Sequence, residues 1–288
     1  MFNSTVLDVA VGVVFTFLAV SLAVSTATEA LASILSWRAA TLLQGVKDLL
    51  NDQNFSGLAL QIYNHAMVSP RDDGKAESAS DLKNLPAYID PSHFADALID
   101  ITGISSAAPG NIRSTILENV KDNQLRVLLL GVVERAGGDV NNVRHQIATW
   151  FDNGMDRVGG AYKRKIQFCS FIIALILAIG LNISATDISK ALWTQPLLAR
   201  TIAPSSPMDA QGAFDKLYGV GMPIGWSIKK FNNLKTPEGL DTVAGWLITA
   251  IATLFGAPFW FDALERVVRL KGSGPSPAEK ASGMGAAA

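Results

Sequence analysis

The sequence predicts an all-α membrane protein: three transmembrane helices, a helical cytoplasmic domain and an irregular outer, periplasmic loop. Three observations carry that reading. Hydrophobic residues make up 49% of the 288-residue chain and charged residues only 17%, where a soluble domain carries about 25% charged residues. The deficit is local, because the windows 9–28, 166–183 and 243–261 contain no Asp, Glu, Lys, Arg or His. Each window is long enough to cross a hydrocarbon core of about 30 Å at about 1.5 Å per helical residue. Finally, basic residues gather at one end of each window: Arg38 and Lys47 after the first, Arg157 and Lys163-Arg164-Lys165 before the second, Arg266, Arg269 and Lys271 after the third.

With three alternating helices, all of these cations fall on one side, which is then the cytoplasmic one. The opposite side holds Lys190, Arg200, Lys229, Lys230 and Lys235 in a longer loop, where the rule has less force. The N-terminus is therefore expected in the periplasm and the C-terminus in the cytoplasm. The stretch at 23–27 (AVSTA) resembles a signal-peptide cleavage site. However, MFNSTVLD in front has no Lys or Arg and carries Asp8, so the first window reads as a retained helix. The boundaries are transmembrane helices at 6–36, 166–183 and 242–262, a cytoplasmic helical domain at 37–165, a periplasmic cap at 184–241, and a disordered cytoplasmic tail at 263–288.

Within the cytoplasmic region, Glu29, Trp37 and Arg38 suit an interface. Ala40, Leu43, Val46 and Leu50 then recur at helical spacing. The polar stretch 69–84 reads as an exposed loop. Asp90-Pro91 is a helix start, with Asp at the cap and Pro at the first helical position; Phe94, Leu98 and Ile101 follow on one face. The stretch 105–110 breaks that helix. Two further helices are expected at 112–119 and 125–135, the latter ended by Gly137-Gly138. From Asp139 onward Val143, Ile147, Trp150, Phe151, Val158 and Tyr162 keep helical spacing up to the second window. Unbroken, this helix would be a rod of about 67 Å, with Gly154 and Gly159-Gly160 as weak points where a hinge is expected. The outer region carries Pro196, Pro204, Pro207, Pro223 and Pro237, with short helices expected at 187–192 and 210–218.

The sequence has no recognisable catalytic machinery. It lacks GxxxxGK[ST], a GxGxxG after a strand, HExxH and GxSxG. The one cysteine, Cys169, lies in the second window and excludes an intramolecular disulfide; His65, His93 and His145 are not spaced as metal ligands. Asp72-Asp73 sits in a polar loop, and the glycosylation patterns at Asn3 and Asn182 crowd the membrane. A net charge of −1 gives no basic surface for nucleic acid. No catalytic, cofactor-binding or metal residue is predicted. The expected partners are the lipid bilayer and either a protein partner or further copies of the chain.

The windows themselves argue against a monomeric transporter. They hold no Asp, Glu, Lys, Arg or His, and three spans do not give a carrier's paired repeats. Thr16, Ser21, Ser25 and Thr28 could line a pore built from several copies. Small residues recur at Ala19, Ala23, Ala27 and Ala30, at Ala174 and Ala178, and at Gly245, Thr249, Thr253 and Gly256, where they let helix backbones approach closely in lipid.

Two similar strings stand at the cytoplasmic edge. Trp150-Phe151-Asp152 is followed by Asp156-Arg157, and Trp260-Phe261-Asp262 by Glu265-Arg266. Together with Lys163, Arg164 and Lys165 they form a candidate juxtamembrane belt, read either as separate interfacial aromatics with local ion pairs or as one shared layer. Pro258 is expected to kink the third helix just before it.

The strings WFDNGMDRVGGAYKRK (150–165), MPIGW (222–226), GAPFWFD (256–262) and RLKGSG (269–274), with the first window through Trp37-Arg38 and YNH at 63–65, resemble a widespread family of uncharacterised bacterial inner-membrane proteins. The resemblance covers most of the chain. The chain departs from it at 159–161, with Gly-Gly-Ala where the family has a polar-aromatic pair. The resemblance implies a bacterial plasma-membrane location and supplies no activity. The expected function is a non-enzymatic accessory subunit or scaffold whose cytoplasmic helices dock a partner. The alternatives are a homo-oligomeric channel, or a membrane enzyme acting on lipid with Asp152, Asp156, Arg157 and Asp262 at the bilayer edge.

Overall fold

A computed structural model of the chain describes residues 5–107, 111–195, 198 and 209–272. Among these residues it is all-α, without strands. The helices are α1 (Thr5–Ile34), α2 (Trp37–Leu49), α3 (Leu58–Asn64), α4 (Pro91–Thr102), α5 (Ile112–Asn119), α6 (Asn123–Arg135), α7 (Val140–Gly180), α8 (Ala185–Thr194), α9 (Ala210–Gly219), α10 (Ile228–Asn233), α11 (Pro237–Thr253) and α12 (Gly256–Gly272). The chain divides into two compact units. The described residues of Ala32–Lys165 form a helical domain, and those of Met1–Leu31 with Ile166–Ala288 form an apolar unit.

The helical domain closes around Ile62, Tyr63, Phe94, Leu98, Ile116, Leu129, Ile147 and Phe151. At its centre the rings of Phe94 and Phe151 stack with centroids 4.0 Å apart. The helix ends follow the expected chemistry. Asp90 accepts from the Ser92 amide at 2.8 Å with Pro91 in the first turn, and Gly103 (φ 77°) ends α4 in the left-handed region that suits glycine. Asp122 accepts from the Leu125 amide at 2.7 Å at the head of α6. The loop 69–84 is exposed but tied down. Asn64 donates to the Ala76 carbonyl at 2.8 Å and accepts from its amide at 3.0 Å, while Asn84 donates to Asp72. The Asn64 of YNH is thus a clamp on this loop, and Tyr63 is fully buried core.

The hinge expected in α7 is not there. The helix runs without a break through 41 residues. Gly154 serves close packing instead: a Cβ there would lie 2.8 Å from Leu49 Cδ1, and one at Gly45 would lie 2.6 Å from Val158 Cγ2. The glycines let α2 and α7 approach within the domain, and that contact offsets their low helix propensity.

In the apolar unit α1 is the central helix, with Val11, Phe15, Ala19 and Val20 fully buried. It is the one described helix that is long and apolar enough by itself to cross a membrane. The other two windows are not straight spans. The helix through 166–183 stops at Gly180, turns at Asn182 (φ 47°) and restarts as α8 at an angle of 51°. The helix through 243–261 stops at Thr253, turns at Gly256 (φ 81°) and restarts as α12 at 98°. The kink expected at Pro258 is therefore made by Gly256. Pro258 falls in the first turn of α12, where its missing N–H leaves no bond unmade. The region 184–241 is not irregular among its described residues, since α8, α9, α10 and the start of α11 lie there. Asn3, Pro196, Arg200, Pro204, Pro207 and the tail from 273 lie outside the described residues.

Candidate functional site

Breaking a helix frees its last carbonyls, which must find donors or face a desolvation penalty. At the end of α7 the donors come from the MPIGW loop. Trp226 Nε1 donates to the Ile179 carbonyl at 2.9 Å, and the Gly225 amide donates to the Leu181 carbonyl at 2.8 Å. Gly225 has φ 93°, which a residue with a Cβ rarely adopts. Asn182 ties the same corner together. Its Nδ2 donates to the Gly225 carbonyl at 3.1 Å, and its Oδ1 accepts from Trp246 Nε1 at 3.0 Å. Thr249 of α11 donates to the Ile183 carbonyl at 3.1 Å. The α8 and α11 helices meet closely because position 245 is glycine: a Cβ there would collide with the Ser184 hydroxyl and lie 2.6 Å from that of Thr186.

Against this corner lies a cavity of about 410 Å³ lined by Asn182, Asp187, Lys190, Trp226, Lys230, Asn233 and Thr242. The half-buried Lys230 ammonium donates to the carbonyls of Pro223 at 2.6 Å and Gly225 at 3.3 Å. Burial lowers its pKa below the ordinary lysine value, and the nearby Asp187 carboxylate partly restores it. Thr242 donates to Asp187 Oδ2 at 3.3 Å, and Lys190 pairs with Asp241 at 2.8 Å. The cavity thus presents an ammonium, a carboxylate, amide groups and an indole face. Such a set binds and orients a polar group. Among the described residues no group of His, Cys, Asp or Glu is placed to hold a metal ion.

The predicted belt is divided between the two units. In the helical domain Trp150 packs on Phe94 at 6.3 Å, Lys165 Nζ lies 5.0 Å from the Trp37 ring centre, and Asp152, Asp156, Arg157, Lys163 and Arg164 are exposed. In the apolar unit Trp260 packs on Phe17 at 4.8 Å and donates to the Ala252 carbonyl at 2.7 Å, while Asp262, Glu265 and Arg266 are exposed. Glu265 pairs with Arg269 at 2.9 Å rather than with Arg266, since adjacent helical residues do not face one another. Each tryptophan therefore has its ring partners in its own unit. The four residues suspected of lipid chemistry (Asp152, Asp156, Arg157 and Asp262) are exposed side chains of α7 and α12 with no ion pair among the described residues.

The suggested pore lining is largely turned inward. Thr16 donates to the Gly12 carbonyl at 2.8 Å, Ser21 is buried, and Thr28 bonds Ser170 at 3.2 Å. Sequence reasoning counted Lys230 only as an outer-loop charge, put residue 187 at the start of a short helix, and missed the cavity. The available signal was the MPIGW string with a lysine four residues after its tryptophan. Comparison with protein-family models, curated proteins and solved structures gave no match to this chain.

Proposed function

We propose that this chain is a non-enzymatic integral protein of a bacterial inner membrane, an accessory subunit or scaffold whose helical domain docks a partner in the cytoplasm. The observation that carries the membrane part is a pair of exposed apolar stripes. On α7, Phe168, Ile172, Ile176 and Ile179 follow helical spacing with Ile176 63% exposed; on α11 and its elbow, Leu240, Val243, Leu247, Ile251, Leu254 and Phe255 do the same with Leu240 74% exposed. Large contiguous apolar surface of this kind belongs against lipid or another protein.

Three crossings follow if each bent pair counts as one span. Irregular backbone is tolerated at membrane depth only where the protein satisfies it, and the break after Gly180 meets that condition through Trp226, Gly225 and Thr249. The basic flanks put the N-terminus outside and residues 32–165 inside. The docking role is supported by a groove of about 750 Å³ in the helical domain, where exposed Met67 and Tyr88 stand beside Arg71, Lys83 and His93.

A topology map tests the reading. Cys169 is replaced by Ser, and single cysteines are placed at Lys229 and Lys121. An impermeant maleimide should label position 229 in intact cells and position 121 only after lysis. The reverse pattern overturns the orientation, and release of the protein by alkaline carbonate overturns membrane integration. For docking, a photoreactive residue at Tyr88 should yield one discrete protein adduct; adducts to lipid alone sink that part.

A further inference from the structure

We propose that the cavity beside the MPIGW loop is a binding site for the zwitterionic phosphoethanolamine headgroup of a membrane lipid. The inference rests on the membrane reading above and specifies a ligand for it. Its first ground is location. Asn182 follows the α7 stripe residue Ile179 by one turn, and Thr242 follows the α11 stripe residue Leu240 by two positions, so the cavity opens where both apolar stripes end. Its rim is apolar and aromatic: Trp226 packs edge-on against Phe231 at 6.0 Å, and Ile228 and Phe231 of α10 are exposed. Amphipathic aromatics of this sort collect at the level of lipid headgroups.

The second ground is charge. Lys190 is paired with Asp241 at 2.8 Å. Lys230 has two backbone carbonyls for partners and, among the described residues, no carboxylate within ion-pair distance, and Asp187 has Thr242 on one oxygen. The lining therefore offers one cation and one anion to a ligand. A net anion would gain Lys230 but meet Asp187, and a net cation would meet the reverse. A zwitterion satisfies both, with its phosphate on Lys230 and its ammonium on Asp187 and the Trp226 face. A primary ammonium donates hydrogen bonds to the carboxylate, which a quaternary choline cannot do. The volume of about 410 Å³ lies in the range of about 300–1,000 Å³ common to small-ligand sites.

The test uses the full-length protein, delipidated in detergent, with short-chain phosphatidylethanolamine, phosphatidylcholine and phosphatidylglycerol as probes. Binding is read as a shift in thermal midpoint and as bound lipid by native mass spectrometry. Phosphatidylethanolamine should half-saturate at a concentration about tenfold below phosphatidylcholine, a difference of about 1.4 kcal/mol. Lys230→Met should lose the shift for all three. Because Lys230 also braces the loop, Asp187→Asn is the decisive variant: its amide oxygen still accepts from Thr242, and it should bind phospholipid with the ethanolamine preference gone. Equal shifts by all three lipids in the native protein, or an Asp187→Asn variant that keeps the preference, overturn the proposal. Free O-phosphoethanolamine giving the whole effect overturns the lipid source. A protein that resists carbonate extraction but shows no headgroup preference sinks this inference alone, whereas release by carbonate sinks the membrane reading beneath it.

Discussion

The indole N–H of Trp226 donates to the backbone carbonyl of Ile179 at 2.9 Å, across 47 residues of sequence. It caps a helix from outside that helix, and so allows α7 to end inside an apolar run. Replacing the indole by phenyl in Trp226→Phe keeps much of the packing and removes the donor. The expected loss is about 0.5–1.5 kcal/mol, the net worth of one hydrogen bond, read as a lower midpoint of chemical unfolding in detergent. An unchanged midpoint would show that the Ile179 carbonyl does not depend on this bond.

Asn182 combines a left-handed backbone with two side-chain bonds, one to the Gly225 carbonyl and one from Trp246. Asn182→Ala should therefore cost more than Trp226→Phe, about 1–3 kcal/mol, by stranding the buried Trp246 donor and leaving the Gly225 carbonyl with Lys230 alone. Asn182→Gly should recover up to about 1 kcal/mol of that, because glycine adopts the left-handed region without a Cβ penalty. Equal loss in the two variants would mean that the backbone turn contributes nothing.

Two glycines of α7 should respond in opposite directions. A Cβ at Gly159 meets nothing within 4 Å, so Gly159→Ala should raise stability by up to about 1 kcal/mol through helix propensity. A Cβ at Gly154 would press on Leu49 at 2.8 Å, so Gly154→Ala should lower it by about 1–3 kcal/mol through overpacking. Thermal melts of the two variants decide the matter. If both stabilise, the close approach of α2 to α7 is not limiting.

Hydrogen bonds from the Ser92 hydroxyl and amide hold the Asp90 carboxyl below the ordinary aspartate value. A depressed carboxyl stabilises the fold above its unfolded value of 3.8, and that contribution disappears as pH falls through the lower folded value. Asp90→Asn, an equally good helix cap, should leave stability at neutral pH almost unchanged. It should also flatten the decline in midpoint below pH 4. A variant with the same acid limb as the native chain would show that Asp90 is not a source of the decline.

Much of the helical domain was legible in the sequence, because its signals are local. Asp90 with Pro91 and Gly137-Gly138 act on the backbone within one turn, and these helix ends fall where expected. Gly154 was misread for the same reason. Viewed along the chain it is a helix weakener, and only the neighbouring α2 makes it a spacer. The surroundings of the belt tryptophans are set differently. Sequence similarity between the strings at 150–157 and 260–266 says nothing about which rings each tryptophan meets.

By itself the sequence determined an all-α chain and the places where apolar surface is concentrated, since hydropathy and periodicity are properties of consecutive residues. Only the tertiary structure decided that two of the three windows bend, at Asn182 and Gly256, and that among the described residues α1 is the one helix long and apolar enough by itself to cross a membrane. A hydropathy window cannot register a turn at one residue. Such a turn persists only when distant donors satisfy the carbonyls it frees, here Trp226 and Gly225 for the end of α7 and Trp260 for Ala252 near the end of α11. The same long-range folding that closes the first break brings Lys230 and Asp187 to one cavity, which is why no spacing in the sequence announced it.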